Sequence, residues 1–424
     1  MNILFLHSNF PAQFKHVARY FARDDKNTVV FVSDTHAKQT IPNVRHYVLN
    51  PSEVVTKPSS ANEVDQILAK SFTEKFAHSL NHANSLNRLK NRGFTPDLIY
   101  DHSGWGMSLF IKDIFPEAAY ASYLEWFYTK GADYAYFASP DSPCRPSDFM
   151  GLRLKNLFQL NALAECDLGI SPTAFQKSTY PEVFHQRIEV LHDGIDTDFF
   201  HPRKGEKFAI PGLDMSPAKE ILTFTARGLE PYRGFPQFYQ ALPEILEARP
   251  DLHVVIMADD IVAYGPESQP RAGLGAAMRK QLPLDEDRVH FLPKQPFSIY
   301  RSLLQASTVH VYLTVPFVLS WSLLEAMACG CLIVASGTEP VLEVAEDGKN
   351  AILADLRDTR DIAQKIIFAL KRRHELAHLR EAARQTVLDG YALSALLPRH
   401  AAALTEIAAQ KSRTGLHGLR EKNM

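Results

Sequence analysis

Short apolar runs alternate with amphipathic stretches along the whole chain. In the first half the runs NILFLH (2–7), NTVVFVS (27–33), DLIYDH (97–102), AYASYL (119–124), DLGISP (167–172) and RIEVLH (187–192) read as strands. In the second half EILTFTAR (220–227), HVVIMAD (253–259), RVHFLP (288–293), VHVYLT (309–314) and CLIVASG (331–337) do the same. Between them, 14–23, 64–91, 236–248 and 359–373 carry apolar residues at helical spacing. Strands alternating with helices predict βαβ units and parallel sheets, an α/β fold. Residues 202–219 (PRKGEKFAIPGLDMSPAK) have no periodicity and are rich in Pro, Gly and Lys. They are read as the linker, giving domains at 1–200 and 201–387. The Ala- and Leu-rich stretch 392–410 reads as a helix that Pro398 either kinks or begins.

Composition narrows the class. The 424 residues suffice for two domains with full cores, and 46% apolar and 22% charged residues are ordinary for a globular protein. A net charge of −2 gives no bulk attraction to nucleic acid. The four cysteines, Cys144, Cys166, Cys329 and Cys331, lack zinc-site spacing and read as small core residues in a reducing compartment. The N-terminal apolar run is too short for a signal peptide, and no run of eighteen apolar residues occurs. The expectation is a soluble, cytoplasmic protein.

In open parallel sheets ligands sit beyond the carboxyl ends of the strands, so polar residues there are the candidates. After 220–227 comes ARGLEPYRG, with Arg227 and Arg233 in a Gly-containing loop that leads into a helix. That is either a diphosphate clamp or two arginines in a surface turn. After 309–314 comes TVPFVLSWSLLEAMACGC, an apolar loop 316–320 and a short helix stopped by Gly330. It carries one carboxylate, Glu325, which is either a receiver for a vicinal diol or half of a capping box begun by Ser322. His102 ends strand 97–102 and is either a cleft residue or a satisfied structural histidine. Asp196 and Asp198 form a D-x-D that could hold a divalent metal or a turn, and Asp259–Asp260 is a weaker candidate of the same kind.

Taken in order, these pieces resemble the family 4 glycosyltransferases of GT-B fold. EVLHDGIDTDFF is similar to the family's N-G-I-D-x-x-x-F loop, with Asp193 where Asn is usual. ARGLEPYRG resembles its G-R-x-x-x-x-x-K-G segment, with Arg233 in the lysine's place. SLLEAMACGCLIVASGTEPVLEVAEDGKNAIL is close to its L-E-A-M-A-C-G to D-G-x-N-G run. The resemblance implies two Rossmann-like domains facing a cleft, with the C-terminal helix, 388–424, returning to the N-terminal domain. It implies a retaining, front-face transfer from a nucleotide-sugar, UDP- or GDP-linked, with no metal and no cofactor. Glu325 would receive the ribose hydroxyls, Arg227 and Arg233 the leaving diphosphate, and Lys294 would lie near the base. His102 would sit by the transferred sugar.

Two departures stand out. The glutamate that usually holds donor-sugar hydroxyls is replaced by Phe317, so the backbone N–H groups of Val318, Leu319 and Ser320 are the alternative contacts. The first loop lacks the usual Gly pair and offers Gln13 instead.

The acceptor expected is a glycan, lipid-linked or protein glycoconjugate. Peripheral contact at the inner membrane face is open for the basic, Leu-containing stretch 75–92, against the reading of a solvated helix face. Two other functions compete with transfer. One is another GT-B chemistry, such as nucleotide-sugar epimerisation. The other is an idle module binding a glycan or partner, motivated by the missing glutamate and opposed by the retained arginines and Glu325.

Overall fold

The structure, a computed structural model, describes residues 1–35, 39–48, 63–129, 146–264 and 273–421. Contacts divide it into two units. The described parts of Met1–Lys130, Pro143–Asp193 and Ser394–Met424 form the first, and Gly194–Leu393 the second.

The first unit is a parallel sheet of β1 (Asn2–Leu6), β2 (Thr28–Ser33), β3 (Val44–Val48), β4 (Leu98–His102), β5 (Ala119–Tyr123), β6 (Leu168–Ser171) and β7 (Ile188–Val190), in the order β3-β2-β1-β4-β5-β6-β7. Strand side chains alternate between faces, so β1 feeds two cores. Ile3 and Phe5 pack on one side with Phe14, Val17 and Phe21 around α1 (Lys15–Phe21). Leu4 and Leu6 pack on the other with Leu86 and Leu89 of α2 (Glu63–Asn91) and Ala162 of α3 (Pro146–Glu165). Both faces are covered, so the strand runs are uniformly apolar. Burying each large side chain contributes roughly 1.5–3 kcal/mol.

The second unit repeats this plan. Strands β10 (Glu220–Gly228), β11 (Leu252–Asp259), β12 (Val289–Leu292), β13 (Val309–Tyr312), β14 (Ile333–Ser336) and β15 (Ile352–Ala354) form a parallel sheet in the order β12-β11-β10-β13-β14-β15. Its helices include α4 (Phe235–Ala248), α5 (Phe297–Ala306), α6 (Trp321–Ala328), α7 (Thr359–Arg372) and α8 (Ala377–Gly390). Two sheets with crossover helices make the α/β class expected from the sequence.

Three expectations need correction. The presumed linker 202–219 belongs to the second unit: β8 (Ala209–Ile210) and β9 (Leu213–Asp214) make a small hairpin, and Phe208 and Met215 pack with Ile221, Val255 and Leu303. Its few apolar residues are the buried ones, which a reading of its Pro, Gly and Lys content overlooks. The division therefore falls at Asp193/Gly194 and Leu393/Ser394, a few residues from 200/201 and 387/388. Helix α9 (Leu393–Glu421) also begins before Pro398 and runs through it. Its Leu396, Ala401, Leu404 and Ala408 join the core around Ile3 and Phe5.

Among the described residues no helix is long and apolar enough to cross a membrane. In the stretch 75–92, Leu86 and Leu89 turn inward while Leu80 is exposed. Cys144 lies outside the described residues. Cys166, Cys329 and Cys331 are buried and unbridged, and burial pushes the Cys166 and Cys331 thiols up to about 12.

Candidate functional site

In the second unit the strand order reverses between β10 and β13, and the candidate residues gather at those strand ends. Arg227 lies near the end of β10, is exposed, and makes no hydrogen bond or ion pair with a described residue. Gly228 follows, where an added Cβ would sit 2.3 Å from the Ile261 carbonyl oxygen. Gly228 pairs with Asp259 of β11, whose Oδ1 accepts the Lys294 N–H at 2.9 Å. Lys294 is therefore pinned by its backbone and leaves its ammonium exposed.

The loop then folds back through Glu230 and a 3-10 turn, Pro231–Arg233. Glu230 is buried, and its Oε2 accepts the N–H groups of Ala263 and Tyr264 at 2.7 and 2.9 Å. Burial raises its carboxyl above the ordinary range, against those bonds and the Arg233 and Arg227 charges. Gly234 closes the turn at φ +63°, where a Cβ would lie 2.5 Å from Leu313 Cβ. Only glycine meets both demands.

Arg233 is buried. Its Nη1 donates to Val318 O at 2.9 Å, Thr314 Oγ1 at 3.1 Å and Tyr312 Oη at 3.3 Å. The guanidinium carbon lies 5.7 Å from the Phe317 ring centroid and 5.8 Å from that of Tyr264. Nε and Nη2 make no hydrogen bond with a described residue. The Phe317 ring is itself buried against Tyr232 and Tyr264, with centroids 5.1 and 4.9 Å away. This is why loop 316–320 is apolar: Phe317 packs inward as a wall for the arginine. Leu319 is core.

The three amides named from the sequence separate here. The Ser320 N–H donates to Tyr312 Oη at 2.9 Å. Those of Val318 and Leu319 find no acceptor among the described residues.

Ser320, rather than Ser322, caps α6, accepting the Ser322 N–H. The capping-box alternative for Glu325 therefore fails, because the helix starts two residues too early for it. Glu325 is buried in the second turn, and its Oε2 accepts the Tyr300 hydroxyl at 2.9 Å. Burial pushes its carboxyl up from 4.5 to about 7 despite that bond.

In the first unit the corresponding reversal lies between β1 and β4. His102 ends β4, and its Nδ1 accepts the Gly104 N–H at 3.3 Å, which leaves the ring proton on Nε2. Nε2 is buried without a hydrogen bond and faces Glu125 Oε2 at 3.4 Å. His7, just past β1, lies with its ring centroid 4.9 Å from that of His102. Its Nδ1 accepts the Asn9 N–H at 2.8 Å, so Nε2 donates to Gln13 Oε1 at 2.8 Å. Gln13 Nε2 donates in turn to Glu125 Oε1 at 3.1 Å.

Burial and the neighbouring His102 lower His7 to about 3, so it is neutral at pH 7. Burial raises Glu125, but the His102 ring beside it, the nearby His7 and the Gln13 hydrogen bond outweigh it and hold the carboxyl below its ordinary value. Gln13, expected as a ligand contact, thus has its oxygen and one N–H committed inside the protein.

His7, Glu125 and Tyr300 escaped the sequence reading. Glu125 carried a signal: it is the single charge in 118–129, an isolated carboxylate like Glu325. The D-x-D residue Asp196 forms a turn, its Oδ1 accepting the Phe199 N–H at 2.9 Å. Asp260 accepts the Gly275 and Ala276 N–H groups at 2.8 and 3.0 Å.

Residues 25–200 match the model of the glycosyl transferase family 4 group, and residues 219–372 that of glycosyl transferases group 1. An alpha-maltose-1-phosphate synthase of Mycolicibacterium smegmatis is 29% identical over 188 residues, 43% of this chain and 46% of that protein. A D-inositol 3-phosphate glycosyltransferase of a Mycobacterium species is 28% identical over 192 residues, 44% and 40% of the two chains. The chain thus spans under half the length of these curated relatives. HepE of Anabaena, solved with UDP-glucose, superposes with a TM-score of 0.65 at 16% identity, covering 96% of this chain and all of that one. A sucrose-phosphate synthase from Thermosynechococcus elongatus gives 0.69 at 14% identity, covering 97% of this chain and 100% of its own. With both sheets matched and both family models placed in sequence order, the chain has the GT-B fold and matches the glycosyltransferases of the family 4 type over both of its halves.

Proposed function

We propose that this protein transfers a sugar, with retention of configuration, from a UDP-type nucleotide-sugar to a hydroxyl of a glycan, lipid-linked or protein glycoconjugate acceptor. The observation that carries the reading is the paired arginines at the β10 switch point. Arg233 is locked by its Nη1, and Arg227 is exposed and makes no hydrogen bond or ion pair with a described residue.

The donor diphosphate takes Arg227, the unspent face of Arg233 and the N-terminus of α6, each charge-assisted bond contributing roughly 1.5–3 kcal/mol. The Val318 and Leu319 amides donate to the transferred sugar, in place of the carboxylate that Phe317 displaces. Lys294 lies toward the base, and Glu325 accepts the ribose hydroxyls. Those hydroxyls favour its ionised form, so nucleotide affinity rises with pH through about 7. In the transfer step the bond from the anomeric carbon to the phosphate oxygen breaks while the acceptor oxygen bonds on the same face. The acceptor proton passes to the leaving phosphate oxygen, and the arginines stabilise the charge. No metal is needed for that step.

Two further points extend the reading. HepE's binding of UDP-glucose supports the donor class. The exposed Phe72, Phe76 and Leu80 on α2 support contact with a membrane face, where the protein would meet a lipid-linked acceptor.

Calorimetry against UDP, GDP and their sugars, with and without EDTA, tests this. The expected result is UDP binding that ignores EDTA and drops at least tenfold in Arg227→Ala. A folded protein that binds no nucleotide would sink the proposal.

A further inference from the structure

A second polar cluster in the first unit is untouched by this chemistry. Asp34 follows β2, and its own N–H donates to Ser8 O at 3.0 Å, which fixes where its carboxylate points. His78 and His82 lie one turn apart on the same face of α2. Three ligand-type atoms meet there. Asp34 Oδ1 is 2.8 Å from His82 Nε2 and 3.1 Å from His78 Nε2, and the two ring nitrogens are 2.6 Å apart.

A hydrogen-bonded network explains part of this. The carboxylate oxygen can accept from both rings, but two N–H groups converging on it would crowd their hydrogens into the gap between the nitrogens. That gap is shorter than an ordinary hydrogen bond between nitrogen and oxygen, about 2.9 Å. Three lone pairs turned toward one point resolve the crowding. Asp34 Oδ2 is also buried without a hydrogen-bond partner among the described residues.

We infer that Asp34, His78 and His82 form a binding site for a borderline divalent cation of the Zn2+ type, leaving a further coordination position for water or an anionic oxygen. Two imidazoles and a carboxylate are the donor set that zinc and its neighbours take, and magnesium or calcium would prefer more oxygens. His82 Nδ1 is buried and unpartnered among the described residues, which supply no outer hydrogen bond to that histidine. Lys75 adds an opposing charge near His78. Both weaken the site, the first by roughly 10–100-fold. Bound metal would tie α2 to the end of β2.

The full-length protein, stripped with EDTA and dialysed, is titrated with Zn2+ by calorimetry and with Co2+ by visible absorption. About one saturable equivalent, a cobalt spectrum of low-coordinate type and a higher thermal midpoint with zinc are expected. His78→Ala should lose at least tenfold in affinity and the thermal gain; its side chain is partly exposed, so the fold should hold. Asp34→Asn, which preserves shape, should do likewise. No saturable site in the unmodified protein, or binding equally strong in both variants, would overturn the assignment.

Discussion

The two switch points have the same strand order and opposite hydrogen-bond economies. At the β1/β4 ends the polar groups largely satisfy one another: His7 to Gln13, Gln13 to Glu125, with backbone amides fixing both histidine tautomers. At the β10/β13 ends capacity is left over. Among the described residues Arg227 is unpaired, two amides lack acceptors, and a buried carboxylate has one hydrogen-bond partner, Tyr300. The same topology can build a self-satisfied cluster or a receptive one. The difference lies in which groups still have hydrogen bonds to give, and a ligand at the second site displaces nothing.

Gly234→Ala should break the receptive site most severely, because it combines a left-handed backbone with a 2.5 Å contact. A loss of about 3 kcal/mol or more is expected in denaturant unfolding. A cost under about 1 kcal/mol would mean the turn can re-form without glycine.

Glu325→Gln should come next. The native carboxyl, at about 7 against an ordinary 4.5, binds more protons than the unfolded chain between those values, so its contribution to stability falls as pH rises through that window. Ionisation costs on the order of 3 kcal/mol. The variant should therefore gain on the native protein at pH 8, by an amount that shrinks toward pH 5, while losing UDP affinity. The paired comparison matters because buried His7, His192, His310 and His400, all lowered, give slopes of the opposite sign.

Glu125→Gln tests the self-satisfied cluster. It removes the carboxylate that accepts from Gln13 and lies beside the His102 ring, and roughly 1–3 kcal/mol of stability should go with it. Arg227→Ala should move stability by less than about 0.5 kcal/mol while cutting UDP affinity tenfold or more. If Arg227→Ala destabilised as much as Glu125→Gln, the contrast between the two sites would collapse.

Much of this was legible in the sequence. Each of the apolar runs read as strands lies on an observed strand, because strands covered on both faces leave continuous apolar text. β3 was missed because, at the sheet edge, VRHYV is only half buried and mixes charge with apolar residues. β15 is three residues long, too short to show a period. Arg227, Arg233 and Glu325 stand out as candidates in the sequence because Arg227 and Arg233 follow a strand end and Glu325 lies inside an apolar helix. Tyr300 and His7 do not, since tyrosine and histidine sit in cores without comment. That Ser320 caps α6 depended on where the helix starts, and Ser320 and Ser322 both offered a start.

The placement of α9 has a consequence for biosynthesis. The apolar face of β1, with Ile3 and Phe5, is completed by Leu396, Leu404 and Ala408, so the first unit is discontinuous along the chain. A ribosome making roughly 5–20 residues per second delivers the covering helix many seconds after the sheet it covers. During that interval the nascent N-terminal unit carries an uncapped greasy surface while the second unit, whose described residues run without a break in assignment from Gly194 to Leu393, already has its strands and helices. A nascent chain stalled near residue 390 should therefore be the form that chaperones recognise and proteases cut first, with the cuts confined to its N-terminal half.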